Sequence, residues 1–396
     1  MAEYKDRPTL TFAAVRPTRL ILIVSLALTL MAFSVACGEQ EQKEFRIGLV
    51  APITGSIPEV GQSSVDAANM VVDEINEAGG LVVGGEAYEV VLLIEDNEDK
   101  AEVSVRKVLA LINQQGVVAI VGPQASRNAI PAAAVAEKSK VPMISPWSSN
   151  PETTRNKRWV FRAAFMDPFQ GRALAAFSRQ QLKATTVAVL FDVASEYNKG
   201  LAEFFKASFE EMGGVVVSYE SYTTDAPDIS RQLARIKSSG AEVLFLPNYY
   251  NEVPGQALQA RDVGIDAQIL GSDTWTGILE ADRDQVDGAY FSSQYDSTAA
   301  DPLAQEFAAR YRAAFGRDPD DVAALTADAL GLLFEAARSQ RLVDPEAIRN
   351  GMANTKSYQG ITGTFKYDGV TGDPIKSIVL LGISNGEFVF HSRIDP

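Results

Sequence analysis

The feature that most constrains this chain is a repeated alternation of short, wholly apolar runs with longer amphipathic stretches. Val187-Ala-Val-Leu-Phe and Val243-Leu-Phe-Leu are continuous rather than alternating. A strand that is apolar at every position must be covered on both faces, as in a parallel sheet held between helical layers. Strands are predicted at 46–51, 90–95, 117–121 and 141–145, with helices at 63–78, 101–115 and 128–139 between them. The first helix stops at Gly79-Gly80. After Asp167-Pro168 the rhythm restarts, with helices at 168–182, 196–212, 228–239 and 252–263 and strands at 187–191, 215–220, 243–247 and 268–271. The end departs from it. Helices at 302–315, 321–338 and 344–353 follow one another without strands, and 377–391 reads as two strands joined at Asn385-Gly386, a favoured hairpin turn. The expected class is α/β: two doubly wound lobes with parallel-rich central sheets, joined by several crossings of the chain.

The first 37 residues read differently. Lys5, Arg7, Arg16 and Arg19 make a basic start, and Leu20 to Phe33 is apolar except for Ser25 and Thr29. Ser34-Val35-Ala36 then leads to Cys37. A basic region, a short apolar run and small residues before a cleavage point form a secretory signal. The run is shorter than the roughly 20 residues that span a bilayer. Cys37 is the one cysteine of the chain, so no intrachain disulfide can form. Residues 1–37 are assigned to a signal peptide and 38–44 to a polar tether. Ser-Val-Ala also suits ordinary cleavage, which would leave a free thiol instead of a lipid.

Beyond residue 37 the chain carries 32 Lys/Arg and 49 Asp/Glu, a net charge of −17. Such a surface repels nucleic acid and anionic headgroups. Enzyme readings find no footing: the single histidine, His391, lies near the C-terminus, and there is no HExxH, paired CxxC, GxxxxGK[ST] or GxGxxG. No catalytic residue, metal ligand or cofactor is assigned.

Local motifs say more. Ile47-Gly-Leu-Val-Ala-Pro-Ile-Thr-Gly, Asp73-Glu-Ile-Asn-Glu-Ala-Gly-Gly, Val121-Gly-Pro-Gln-Ala-Ser, Met143-Ile-Ser-Pro-Trp-Ser-Ser-Asn-Pro, Phe161-Arg-Ala-Ala-Phe-Met-Asp-Pro-Phe-Gln-Gly, Leu270-Gly-Ser-Asp-Thr-Trp and Gly363-Thr-Phe-Lys-Tyr-Asp occur in this order. Together they resemble the leucine/isoleucine/valine-binding family of type I periplasmic binding proteins. Ser-Val-Ala-Cys resembles a lipobox, which implies acylation of Cys37 and an extracytoplasmic, lipid-anchored protein. The resemblance implies two lobes joined by three hinge crossovers, lobe 1 over 45–165 plus 295–365 and lobe 2 over 166–294 plus 366–396. It implies ligand contacts at Ser126, Trp147 and Ser149 on lobe 1, facing the ligand carboxylate, and at Tyr197, Tyr249 and Asp273 on lobe 2, with Asp273 meeting the ammonium. The implied function is the solute-binding subunit of an ABC transporter, a monomer capturing an amino acid, aliphatic or branched-chain, by hinge closure and handing it to a membrane permease. Two other readings stay open: a binder of an amide, urea or aromatic acid, and a ligand-sensing ectodomain. Tyr250 beside Tyr249 leaves the register of that contact open by one position, and Arg127 is either a solvated helix-start cation or a partner for a second ligand acid.

Overall fold

The computed structural model describes residue 1 and residues 43–224, 228–299 and 301–396. Apart from Met1, Lys43 and Glu44, the expected signal and tether lie outside the described residues, Cys37 included. Residues 44–396 form one compact unit.

The first part of that unit is built on β1 (Glu44–Ala51), α1 (Pro58–Glu77), β2 (Leu81–Val83), β3 (Glu86–Asp96), α2 (Ala101–Asn113), β4 (Ala119–Val121), α3 (Ser126–Ser139), β5 (Met143–Ser145) and β6 (Val160–Arg162). These strands form a six-stranded sheet in the order β2-β3-β1-β4-β5-β6. All pairs are parallel except β2–β3. The chain then runs through α4 (Asp167–Gln180), β7 (Thr186–Asp192), α5 (Glu196–Glu211), β8 (Val215–Tyr222), α6 (Ser230–Ser239), β9 (Val243–Leu246), α7 (Val253–Asp262), β10 (Gln268–Gly271) and β11 (Tyr290–Ser293). Helices α8 (Pro302–Phe315), α9 (Asp321–Gln340) and α10 (Pro345–Ala353), the short ribbon β12 (Tyr358–Gly360) and β13 (Gly363–Phe365), and the hairpin β14 (Ile378–Ser384) and β15 (Glu387–Ile394) complete it. The second sheet has seven strands in the order β15-β14-β11-β10-β9-β7-β8, parallel from β8 to β11 and antiparallel at the hairpin.

The continuous apolar runs are the buried strands. Val187 to Leu190 and Val243 to Leu246 are at most 1% exposed. The chain passes between the sheets three times. It goes from β6 to α4, from β11 to α8, since α9 packs on α1 and β4, and from β13 to β14. Three details differ from the sequence expectation. Glu44 opens β1 instead of ending the tether, so that residue belongs to the folded unit. Helix α1 begins five residues earlier than expected, at Pro58, whose fixed φ and missing N–H suit a first helical turn. Strands β2, β6, β11, β12 and β13 were not anticipated; with three or four residues each, they show too little periodicity to read.

Candidate functional site

Open parallel sheets bind ligands beyond the C-terminal ends of their strands, where the strand order reverses. The first sheet reverses between β1 and β4, the second between β7 and β9. All six residues singled out from the sequence lie just past such ends. Ser126 follows β4, Trp147 and Ser149 follow β5, Tyr197 follows β7, Tyr249 follows β9 and Asp273 follows β10.

The loop after β4 depends on Gly122. Its φ is +91°, and a Cβ there would lie 2.2 Å from the Val50 carbonyl oxygen. Only glycine tolerates both conditions. The loop then delivers Ser126 as the first residue of α3, while the N-cap position is taken by Ala125 with no side-chain cap. Ser126 therefore does not cap its helix. Its Oγ lies 2.9 Å from Ser148 Oγ, which lies 2.7 Å from Thr153 Oγ1. The first turn of a helix carries N–H groups without intrahelical acceptors and a positive potential, a setting for an anion.

The loop after β5 is held from behind by Arg162, which is completely buried. Its guanidinium donates to the carbonyls of Ser148 (2.8 Å) and Asn150 (2.9 Å), to Thr154 Oγ1 (2.7 Å) and to Asp373 (2.7 Å). The backbone on both sides of Ser149 is thus fixed by one side chain, and Asp373 ties that side chain to the stretch leading from β13 to β14.

On the other side, Asp273 accepts hydrogen bonds from Tyr197 OH, from Gln170 Nε2 (2.8 Å) and from Gln294 Nε2 (3.1 Å). Burial raises its pKa, and the three donors oppose that shift. Gln170 Nε2 also reaches Ser292 Oγ at 2.8 Å. Tyr249 carries the Arg127 guanidinium 4.8 Å above its ring. Arg127 is itself paired with Asp99, and its side chain is partly exposed. The Tyr250 hydroxyl donates to Glu59, whereas Tyr249 is on the lining described below.

Ser126, Trp147, Tyr197, Tyr249 and Asp273 line one enclosed space together with Gln124, Ala125 and Thr274. Ser149 is not on that lining. It is buried, its Oγ has no hydrogen-bond partner, and its carbonyl accepts from the Asp167 N–H at 3.0 Å. Asp167, read from the sequence only as the point where the rhythm restarts, is not on that lining either but lies close to Asp273 and Ser149. It is fully buried, neither carboxylate oxygen has a hydrogen-bond partner, and burial pushes its pKa up to about 8. The nearby Asp273 charge adds to that shift. The Ser149 hydroxyl and Arg162 work against it, although Ser149 and Asp167 do not reach hydrogen-bonding geometry. Gln170 Oε1 is likewise unpartnered. A buried carboxylate without partners is costly, so its natural complement is a cation. An acidic residue in a β-to-α crossover, with Gln170 one turn later, is the signal that could have found it.

Comparison with known proteins follows this geometry. A family profile described as periplasmic binding protein matches residues 44–387. The Leu/Ile/Val-binding protein BraC3 of Rhizobium johnstonii is 30% identical over 362 residues, covering 88% of this chain and 94% of its own. The crystal structure of the leucine-binding protein LivK from Thermotoga maritima superposes with a TM-score of 0.82 at 30% identity, covering 89% of this chain and 99% of that one. The branched-chain amino acid transporter substrate-binding protein LivJ from Streptococcus pneumoniae, solved in complex with isoleucine, gives 0.81 at 29% identity, covering 89% and 100%. The chain belongs to the type I periplasmic binding proteins, in the leucine/isoleucine/valine-binding family, and is an extracytoplasmic binding protein rather than an enzyme.

Proposed function

We propose that this protein captures an α-amino acid outside the cytoplasm and delivers it to an ABC permease. The observation that carries this reading is the opposition of two ends across one enclosed space. The first turn of α3 with Ser126 offers N–H and O–H groups to a carboxylate, and Asp273 offers negative charge to an ammonium, with the nearby unpartnered Asp167 carboxyl able to release its proton beside that cation. Ser149, expected at the carboxylate, lies off this lining with its hydroxyl near Asp167. Trp147, Tyr197 and Tyr249 wall the remaining side. The relatives named for leucine, isoleucine and valine, and the isoleucine complex of LivJ, support an amino acid as the cargo.

Capture proceeds by hinge closure in this reading. The lobes are 45–165 plus 295–365 and 166–294 plus 366–396, and the three chain passages act as the hinge. Closure removes both ionic ends of the ligand from water, so a molecule lacking either end leaves a buried group unpaired and is rejected. The protein works as a monomer, held at the membrane surface by a lipid on Cys37. Thermal unfolding against the twenty amino acids tests the reading. A ligand binding only the folded state at a hundredfold excess over its Kd adds about 2.7 kcal/mol. A rise in Tm that Asp273→Ala abolishes is the expected result. A rise only with ligands that have no ammonium group refutes it.

A further inference from the structure

The loops of the two sheets also bond to each other directly, through residues that are not on the lining of the enclosed space. Tyr250 and Asn251 follow β9, beside Tyr249, and reach across to the entry of α1. The Tyr250 hydroxyl donates to Glu59 Oε2 at 2.5 Å, and Asn251 Nδ2 donates to the Ser56 carbonyl at 3.0 Å. Thr276 follows β10, and its Oγ1 donates to Asp321 Oδ1, at the start of α9, at 2.6 Å. The other Asp321 oxygen accepts from Trp147 Nε1 at 3.2 Å. In the division proposed above, Ser56, Glu59 and Asp321 belong to lobe 1, and Tyr250, Asn251 and Thr276 to lobe 2.

A bond that joins one lobe to the other exists only while the lobes are together. It stabilises the closed complex and does nothing for the open form that a ligand first meets. Such a bond therefore slows release and leaves capture unchanged, the usual way in which affinity is tuned. Tyr250 is the best placed of these residues. Its ring is 4% exposed and packs on the Gly277 backbone so closely that a Cβ there would lie 2.7 Å from it, so the hydroxyl is aimed across the cleft from a fixed base. Its acceptor is a carboxylate, which strengthens the bond. Glu59 is itself exposed, so losing the hydroxyl leaves no buried charge without a partner.

We infer that Tyr250, backed by Thr276, is a latch between the lobes, a pair of positioning residues that stay clear of the ligand and set how long it is held. The inference rests on the amino-acid reading and the hinge closure proposed above, and adds to them residues outside the enclosed space.

The test is stopped-flow tryptophan fluorescence of the full chain, with Trp147 on the lining as reporter. It measures kon and koff for L-leucine, L-isoleucine and L-alanine on the wild type, Tyr250→Phe, Glu59→Ala, the double variant of these two, and Thr276→Val. For the amino acid that the wild type binds most tightly, Tyr250→Phe and Thr276→Val should each raise koff at least fivefold, about the worth of one hydrogen bond, with kon within twofold. The double variant should release ligand no more than twofold faster than the faster of its two single variants, because both remove the same bond. Damage to the fold lowers the fraction of molecules that bind, not the rate at which bound ligand leaves. A koff within twofold of the wild type for either Tyr250→Phe or Thr276→Val overturns this inference and leaves the amino-acid reading intact. Effects of Tyr250→Phe and Glu59→Ala that multiply in the double variant overturn it as well. No binding of any of the three amino acids overturns both.

Discussion

Replacing Asp167 by asparagine should stabilise the ligand-free protein and cripple it as a binder. The carboxyl is fully buried without a hydrogen-bond partner, and its pKa rises from 3.8 to about 8. Between those values the native state holds a proton that the unfolded chain has released. Stability therefore falls with pH across this window, because ∂ΔG/∂pH follows the protons bound by the unfolded state minus those bound by the native one. The contribution is fully present below about pH 4 and lost as pH rises through 8. At about 1.4 kcal/mol per unit, the shift corresponds to at most about 5–6 kcal/mol. Asparagine keeps the shape and does not titrate. The difference in unfolding free energy between variant and wild type should thus grow by several kcal/mol in the variant's favour from pH 5 to pH 8.5. Urea unfolding of both proteins at pH 5, 7 and 8.5 reads this directly, since other titrating groups cancel in the difference. Ligand binding at pH 7 should weaken at least tenfold, because a bound ammonium would draw the Asp167 carboxyl into its charged form, and asparagine has no such proton to release. A stability difference constant within about 0.5 kcal/mol over that range refutes the reasoning.

Three further outcomes follow from the same geometry. Arg162→Met leaves Asp373, Thr154 and two loop carbonyls without their buried donor, so urea unfolding should register a loss of about 3–5 kcal/mol, the usual cost of breaking a buried charge pair from one side. Tyr197→Phe keeps the ring and removes only the donor to Asp273, so calorimetry should show ligand affinity falling roughly tenfold to a hundredfold, in line with one hydrogen bond to a charged group. Cys37→Ser should abolish incorporation of labelled palmitate and release the protein from the membrane fraction, whereas unchanged fractionation would leave ordinary secretion as the account.

The fold was legible because its signal is redundant. The central strands β7 and β9 of the second sheet are continuous apolar runs, and each of the helices α2 to α7 begins and ends within three residues of its expected bounds. Strands such as β6 and β11 were not legible, since three or four residues cannot show a period. Their place is set by neighbours far away in sequence, Met143 to Ser145 for β6 and Val379 to Gly382 for β11. Within the site, Ser126, Trp147, Tyr197, Tyr249 and Asp273 converge because each follows the C-terminal end of a parallel strand, and the existence of those strands is what the apolar pattern specifies. Asp167 escaped notice because a carboxylate before a proline reads as a turn, and its significance depends on burial that sequence does not show. Arg162 was likewise invisible. An arginine at the end of a short strand gives no sign that it is wholly enclosed and spans from the Ser148 carbonyl to Asp373. Trp147 was read as lying on the loop after β5, but its bond to Asp321, which lies 174 positions away, had no counterpart in local pattern.

The central claim is recognition of a zwitterion, with the carboxylate held near Ser126 and the ammonium near Asp167 and Asp273. Calorimetric titration of the protein with L-alanine, propionate and ethylamine, repeated with L-leucine, isovalerate and isobutylamine, separates the two ends. The account predicts that one or both amino acids bind and that removing either charged group weakens binding at least a hundredfold. Binding of propionate or isovalerate as tight as that of the parent amino acid would contradict it.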